Sequence, residues 1–228
     1  MNTIPVTILD NFLSNPNDVK NFSLNLEYTQ AKFGNYPGKR TECLSKIHPE
    51  YYRYINTSIL SIFFPSNPPP TWDALTQFHL TQNLEKTGWI HQDPNIQITA
   101  LIYLFDENPS INRGTSLFEL KPGLISPFNN KEEKNLYNHM SKHYLTGKIS
   151  QEIYEMKTKW EKNTFNKILN IKDKFNRILI FDPSIFHANN IVNTPELNER
   201  LTLISFIKGI SSPFNFPIPR LKQTPMIY

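Results

Sequence analysis

Two histidines and one aspartate carry the clearest chemical signal in this sequence. His91 and Asp93 lie two positions apart in Trp-Ile-His-Gln-Asp-Pro, and in an extended segment residues i and i+2 point the same way. His187 comes much later, at the end of Ile-Phe-Asp-Pro-Ser-Ile-Phe-His, and an adjacent strand would bring it to the same point. Two imidazoles and one carboxylate on one face, with the opposite positions open, form the site of non-haem Fe(II) oxygenases. These three residues are therefore the candidate metal ligands.

An arginine at the start of a predicted strand provides a candidate anion site. Arg200 begins Arg-Leu-Thr-Leu-Ile-Ser-Phe-Ile and shares a strand face with Thr202 and Ile204. A guanidinium that points into a barrel carries a large desolvation cost unless an anion meets it, and a bidentate carboxylate is its natural partner. In the alternative interpretation Arg200 is a surface residue that faces Glu196 or Glu199, and the residues alone leave both open.

The elements that must position these residues are mainly strands. Alternating or doubly apolar patterns predict strands at 4–9, 74–80, 96–105, 114–120, 177–181 and 200–207. Helical spacing predicts helices at 17–26 and 49–64, the second stopped by prolines. Short strands separated by turn signals favour an antiparallel sandwich or barrel.

One polar segment interrupts the strand pattern. Residues 129–172 have helical spacing, with Ile153, Met156, Trp160 and Ile168 on one face. A connection of this length inside a compact domain is typical of a functional insertion, so we expect a lid. The predicted organisation is one domain, 1–228, with helical support at 1–70, a core at 75–210, the insertion at 129–172 and an extended tail at 211–228.

Composition and charge exclude several classes of protein. The aromatic content of 13% argues against disorder, and the single cysteine, Cys43, excludes an internal disulfide. The net charge of +4 comes largely from lysines between Lys131 and Lys174, and glutamates alternate with them, unlike a nucleic-acid footprint. The sequence has no secretory signal pattern and no apolar run near the about 20 residues of a membrane helix. We therefore expect a cytoplasmic protein without membrane or nucleic-acid partners.

The order of the motifs resembles a known enzyme superfamily. Along the chain stand His91-x-Asp93, TALIYL at 99–104, GTSLF at 114–118, ILIFDPSIFH ending at His187, and Arg200-Leu-Thr202. This order over residues 75–210 resembles the double-stranded β-helix core of the Fe(II)/2-oxoglutarate-dependent dioxygenases, and is most similar to the prolyl-4-hydroxylase-like branch. The part before it, including GNYPGKRT at 34–41, resembles a bacterial and phage group of such proteins.

The resemblance implies a fold class and a set of roles. It implies a mainly β fold with flanking helices, built on a jelly-roll or cupin-like double-stranded β-helix that carries a helical insertion. It implies that His91, Asp93 and His187 bind iron, that Arg200 holds the distal carboxylate of 2-oxoglutarate with Thr202 beside it, and that Tyr103 hydrogen-bonds the same carboxylate.

The implied reaction is hydroxylation of an unactivated C–H bond with Fe(II), 2-oxoglutarate and O2, with decarboxylation of 2-oxoglutarate to succinate. The intact Asp93 argues against a halogenase, in which a small residue there leaves room for halide. Two features depart from the family pattern: Arg113-Gly114 replaces a glycine pair, and the gap from His187 to Arg200 is long.

Substrate and catalytic competence remain open at this level. The substrate is either a protein or peptide side chain or a small amino-acid-like molecule, whereas a nucleic-acid demethylase would add an arginine where Phe206 stands. The alternative to an enzyme is a non-catalytic cupin-like module that binds a metal or ligand. A second histidine pair, His139 and His143, has helical zinc spacing, but Met140 replaces the glutamate that the metalloprotease motif needs.

Overall fold

A computed structural model describes residues 6–30, 38–65, 71–82, 88–105, 113–145, 150–190 and 199–211 of the chain. Its elements, in chain order, are β1 (Val6–Leu9), α1 (Pro16–Leu24), β2 (Thr29–Gln30), β3 (Lys39–Arg40), α2 (Leu44–Ile47), α3 (Pro49–Ser61), β4 (Thr71–Gln82), β5 (Ile98–Tyr103), β6 (Gly114–Leu120), α4 (Lys131–Leu145), α5 (Gln151–Thr164), β7 (Phe165–Lys172), β8 (Ile178–Phe181), β9 (Phe186–Asn190) and β10 (Glu199–Ser211). The predicted tail at 212–228 lies outside the described residues.

The larger sheet has seven strands in the order β1-β8-β5-β10-β4-β3-β2, and all of its pairs are antiparallel. The run Ile98–Tyr103, apolar on both faces, is buried at every position, as its sequence predicts for a strand covered on two sides. The long strands β4 and β10 pair in continuous register from Glu199↔Gln82 to Lys208↔Asp73, which aligns Arg200 with Thr81. The predicted mainly β architecture with antiparallel strands is confirmed.

The smaller sheet has three antiparallel strands in the order β7-β6-β9. The helical prediction for 129–172 is wrong for its last eight residues, because α5 ends at Thr164 and Phe165–Lys172 forms β7. Ile168 therefore does not lie on the helical face with Trp160. The physical reason is long-range: the backbone groups of β6 need a partner on each side, and a Phe/Ile/Asn-rich segment with two buried apolar side chains, Phe165 and Ile171, supplies one.

The two sheets meet around the candidate ligands. The Tyr103 hydroxyl on β5 and the Thr115 hydroxyl on β6 lie 2.9 Å apart. The Leu117 side chain of β6 belongs to the same apolar core as the strands of the larger sheet. The backbones of His91 and His187 exchange two hydrogen bonds, of 3.0 and 2.9 Å, in an isolated bridge. The smaller sheet is thus held against the segment that carries His91.

The helix α3 covers the larger sheet near its β4–β10 pair. Ile55 and Ile59 are buried on its inner face. Asn56, also buried, donates to the Thr76 hydroxyl at 2.9 Å, and Thr76 lies 3.0 Å from the Ser205 hydroxyl. This polar chain connects α3 to the strands β4 and β10.

The helices α4 and α5 form a separate small core with the chain before His91. Trp89, Tyr137 and Met140 are buried in it, and Ile153 and Trp160 pack against it. Met156, predicted for the same face as Trp160, is 49% exposed. Of the helices within the described ranges, none combines the length and apolar character needed to cross a membrane.

Candidate metal centre and its cavity

His91, Asp93 and His187 converge on one point. The Nε2 atom of His91 lies 3.7 Å from Asp93 Oδ1, and the Nε2 atom of His187 lies 3.4 Å from Asp93 Oδ2. One ligand atom from each residue falls within 4.8 Å of the others, the arrangement of a group that could hold a metal ion. The backbone N–H of Asp93 donates to the Pro183 carbonyl at 3.0 Å, which fixes the loop against the chain that leads to His187. The structure therefore brings together the three side chains that the sequence singled out, and their role as metal ligands stays a prediction.

Both histidines are oriented by a carbonyl two residues earlier. His91 Nδ1 lies 2.7 Å from the Trp89 oxygen, and His187 Nδ1 lies 2.9 Å from the Ile185 oxygen. A carbonyl oxygen only accepts, so each ring carries its hydrogen on Nδ1. Both Nε2 atoms therefore face Asp93, which is the orientation that a ligating histidine takes.

The Asp93 carboxyl is held in its anionic form. Burial would raise its pKa, but the charge of His187 and hydrogen bonds from His187 and Thr99 outweigh that effect and lower the pKa to about 2. The Thr99 hydroxyl donates to Asp93 Oδ2 at 2.9 Å. A hard divalent cation needs such an ionised oxygen ligand, so the carboxylate is prepared for metal at neutral pH.

The pKa values of the two imidazoles shift in opposite directions. Burial, followed by the nearby charge of His187, lowers the pKa of His91 to about 4, so His91 is neutral at pH 7. Burial also acts to lower the pKa of His187, but the charge of Asp93 and their hydrogen bond raise it above its usual value. A metal ion binds the deprotonated Nε2 of a histidine, so metal binding at this point would compete with any proton between His187 and Asp93.

A cavity of about 350 Å³ opens beside the three ligands, and Arg200 lines it. The Arg200 side chain is only 4% exposed, yet its Nε and Nη2 atoms have no hydrogen-bond partner among the residues that the structure describes. Two buried guanidinium nitrogens without hydrogen-bond partners are costly, and a carboxylate would satisfy both in a bidentate way. Thr202 lines the same cavity, two residues further along β10. Arg200 and Thr202, which share a strand face, therefore both lie on the cavity side.

Tyr103 lies beside this anion site. Its side chain is fully buried, its hydroxyl is 2.9 Å from that of Thr115, and its ring lies 5.4 Å from the Arg200 guanidinium carbon. Burial raises its pKa, so the hydroxyl is protonated. It is Thr115, not Tyr103, that lines the cavity. The predicted contact between Tyr103 and a cosubstrate carboxylate stays a prediction.

Three cavity or ligand-supporting residues were not among the predicted site residues. Arg40 and His79 line the cavity from neighbouring positions on β3 and β4, where their Cα atoms are paired. Thr99 bonds Asp93, and its signal was a polar residue inside the apolar strand Ile98–Tyr103. No comparable local signal marks Arg40, because a two-residue strand that joins a distant partner has no period of its own.

The predicted lid helices pack against the segment before His91. None of the described residues that line the cavity belongs to α4 or α5. These helices instead contact residues 88–90, directly before His91, through Tyr137, Lys157 and Glu161. Whether they also close over the cavity mouth stays a prediction.

Comparison with known families and structures gives a family and a fold. The model of a family of unknown function, DUF6445, matches residues 1–207. No curated protein matches the chain in sequence.

Three solved structures are similar over most of the chain. HygX from Streptomyces hygroscopicus, solved with nickel, 2-oxoglutarate and hygromycin B, aligns with a TM-score of 0.57 at 10% identity, over 94% of this chain and 86% of that one. A 2OG-Fe(II) oxygenase family oxidoreductase from Burkholderia pseudomallei gives 0.52 at 10% identity, over 89% and 85%. The alpha-ketoglutarate-dependent epimerase SnoN from nogalamycin biosynthesis gives 0.52 at 12% identity, over 90% and 77%. At these identities the likeness shows a shared fold.

Proposed function

The chain belongs to DUF6445, a family of unknown function, and from the chemistry of its candidate site we propose that it is an Fe(II)- and 2-oxoglutarate-dependent oxygenase. The observation that carries the proposal is the combination of two elements in one cavity: the His91–Asp93–His187 cluster and the buried Arg200 guanidinium with two unpaired nitrogens. The first fits a divalent metal and the second fits the free carboxylate of a dicarboxylate that chelates that metal. The shared fold with 2-oxoglutarate-dependent oxygenases supports an enzyme.

We propose that the protein acts by binding and orienting the reactants and by excluding water from them. His91 and His187 present Nε2 because Nδ1 donates to a carbonyl, and Asp93 stays anionic. Bound Fe(II) would supply the activation of O2 that couples decarboxylation of 2-oxoglutarate to attack on a C–H bond. Apolar side chains of Leu101 and Ile204 line the cavity and restrict water around the reacting groups.

The two facing antiparallel sheets support the proposal of a double-stranded β-helix core. The larger sheet contributes Arg200 and Thr202 on β10, and the smaller contributes His187 on β9. The proposed placement in the prolyl-4-hydroxylase-like branch, and the bacterial or phage character of the N-terminal part, rest on the motifs alone.

For the substrate we keep a peptide side chain and a small molecule as the two proposed classes. HygX and SnoN were solved with hygromycin B and nogalamycin RO, so compounds of that size belong in a substrate panel with proline-containing peptides and free amino acids. An added oxygen atom in the product would mark hydroxylation. Succinate formed with an unchanged substrate mass would mark either uncoupled turnover or an isomerisation such as epimerisation, and NMR of the recovered substrate would distinguish the two.

The proposal is tested by loading the site and following 2-oxoglutarate. Anaerobic Fe(II) with 2-oxoglutarate should give a weak visible charge-transfer band, and air should then convert 2-oxoglutarate to succinate even without substrate. Asp93→Ala and His187→Ala each remove a ligand and should abolish both signals. His139→Ala, an exposed histidine on α4, is the matched control and should leave them unchanged.

Two results would contradict the enzyme. Absence of both the band and succinate in the wild-type protein would favour the alternative of a non-catalytic cupin-like binding module. Full succinate formation by Asp93→Ala would show that the cluster is not the metal site.

A further inference from the structure

The segment that precedes His91 is held by three side chains of the helical insertion. The Lys157 ammonium donates to the Gly88 carbonyl at 3.1 Å. The Ile90 N–H donates to Glu161 Oε1 at 3.3 Å, and the Tyr137 hydroxyl donates to the Ile90 carbonyl at 2.8 Å. Every peptide unit from Gly88 to His91 is therefore bonded by α4 or α5.

The middle peptide unit connects the insertion to the metal site. Its oxygen belongs to Trp89 and faces His91 Nδ1 at 2.7 Å, while its N–H belongs to Ile90 and donates to Glu161. One rigid amide thus lies between an imidazole and a carboxylate. In metal sites a carboxylate that accepts from a ligating histidine fixes the ring and raises its basicity. In this chain the Trp89–Ile90 peptide lies between His91 and Glu161. Its dipole has the orientation of a direct histidine–carboxylate hydrogen bond, because its oxygen faces the imidazole and its N–H faces the carboxylate.

The carboxylate in this arrangement is itself fixed. Glu161 Oε2 lies 3.1 Å from the Lys157 ammonium, whose side chain is fully buried, while that of Glu161 is 11% exposed. The same ammonium lies 5.1 Å from the centre of the Trp89 ring, within cation–π range. A buried lysine and glutamate one helical turn apart persist only when each satisfies the other. Both side chains also hydrogen-bond the backbone of residues 88–90, Lys157 at the Gly88 carbonyl and Glu161 at the Ile90 N–H, so the pair holds that segment in place.

We propose that Glu161 is a positioning residue for the metal site, acting on His91 through the Trp89–Ile90 peptide, with Lys157 holding the carboxylate in place. This inference rests on the proposed function, because it assigns His91 as a metal ligand. It gives the insertion a role other than a lid. A lid would affect substrate coupling and leave metal binding intact, whereas the Glu161 contact acts on metal binding itself.

The test uses Co(II), whose affinity and visible spectrum report the geometry of its ligands, on the full-length protein. Glu161→Leu removes the acceptor and the charge, and Glu161→Gln removes only the charge. Lys157→Met/Glu161→Leu removes both charges and so avoids an unpaired buried lysine. Glu155→Leu, an exposed glutamate on α5, is the matched control. Melting of the metal-free proteins separates loss of fold from loss of the site.

We expect Glu161→Leu and the double variant to weaken Co(II) binding by about tenfold to a hundredfold and to change the Co(II) spectrum. Glu161→Gln should cause a smaller loss, and Glu155→Leu should match the wild type. If Glu161→Leu does not fold, Co(II) binding by the double variant tests the inference in its place. Wild-type Co(II) affinity and spectrum in the folded variants would overturn the inference alone. A wild-type protein that does not bind Co(II) would instead overturn the proposed function, and this inference with it.

Discussion

The two histidines reach the same orientation from different surroundings. His91 follows a segment held by α4 and α5, and His187 lies on β9, yet each ring donates Nδ1–H to the carbonyl two residues earlier. Residue types and the i, i+2 spacing predicted the three candidate ligands, because those signals are local. The orienting carbonyls of Trp89 and Ile185 could not be predicted, since their direction depends on contacts with distant parts of the chain.

At the same scale, Arg200→Lys should weaken 2-oxoglutarate use without disturbing the metal. A lysine keeps the charge but loses the planar pair of donors, and hydrogen bonds to charged groups contribute about 1.5–3 kcal/mol. We therefore expect the KM for 2-oxoglutarate to rise about ten- to a hundredfold in a succinate assay. Fe(II) affinity should change by less than about twofold, because Arg200 is not a ligand.

The matched control for Arg200→Lys is Arg53→Lys, an exposed arginine on α3. It should leave both constants unchanged. An unaltered KM in Arg200→Lys would show that the anion site lies elsewhere in the cavity, where Arg40 also lies.

At the scale of elements, the pairing of β6 with β7 depends on Gly114. Its φ of +149° is unfavourable for other residues, and a Cβ there would lie 1.9 Å from the Ile171 carbonyl oxygen. Gly114→Ala should therefore lower the free energy of unfolding by more than the about 1–3 kcal/mol that a strained backbone conformation costs. Chemical denaturation would measure the difference.

Gly123→Ala provides the comparison for this effect. Gly123 also has a positive φ, +90°, but nothing lies within 4 Å of a Cβ built there. This variant should show only the backbone cost, so its loss of stability should be clearly smaller than that of Gly114→Ala. Equal losses would mean that the close approach to β7 contributes nothing.

Strand β7 shows where prediction from sequence fails at this scale. Its residues follow α5 without a break and contain spacing that also suits a helix, so the pattern predicted a continued helix. This segment forms a strand because it pairs with the edge of β6, and that edge lies some fifty residues earlier in the chain. By contrast, Gly114–Leu120 and Ile178–Phe181 were predicted closely, because bounded apolar runs signal strands on their own.

At the scale of the whole molecule, the candidate site joins elements that are far apart in sequence. His187 belongs to the smaller sheet, Arg200 and Thr99 to the larger, and His91 and Asp93 to the loop between β4 and β5. The order of motifs along the chain predicted which residues would meet. It did not predict Arg40, whose short strand reaches the cavity only by pairing with β4.

Because the site links both sheets, loading it should stabilise the entire fold. Ni(II) at a hundred times its Kd adds about 2.7 kcal/mol to the free energy of unfolding, which for a chain of this size raises Tm by roughly 5–10 °C. Addition of 2-oxoglutarate should give a further rise in Tm only when metal is present, since Arg200 alone holds one end of it.

In Asp93→Ala both rises in Tm should vanish, whereas Asp73→Ala, which alters an exposed aspartate, should keep them. In Arg200→Lys the Ni(II) rise should remain and the 2-oxoglutarate rise should shrink. A 2-oxoglutarate effect of equal size without metal would contradict this order of binding, because it would mean that the dicarboxylate is held by the protein alone.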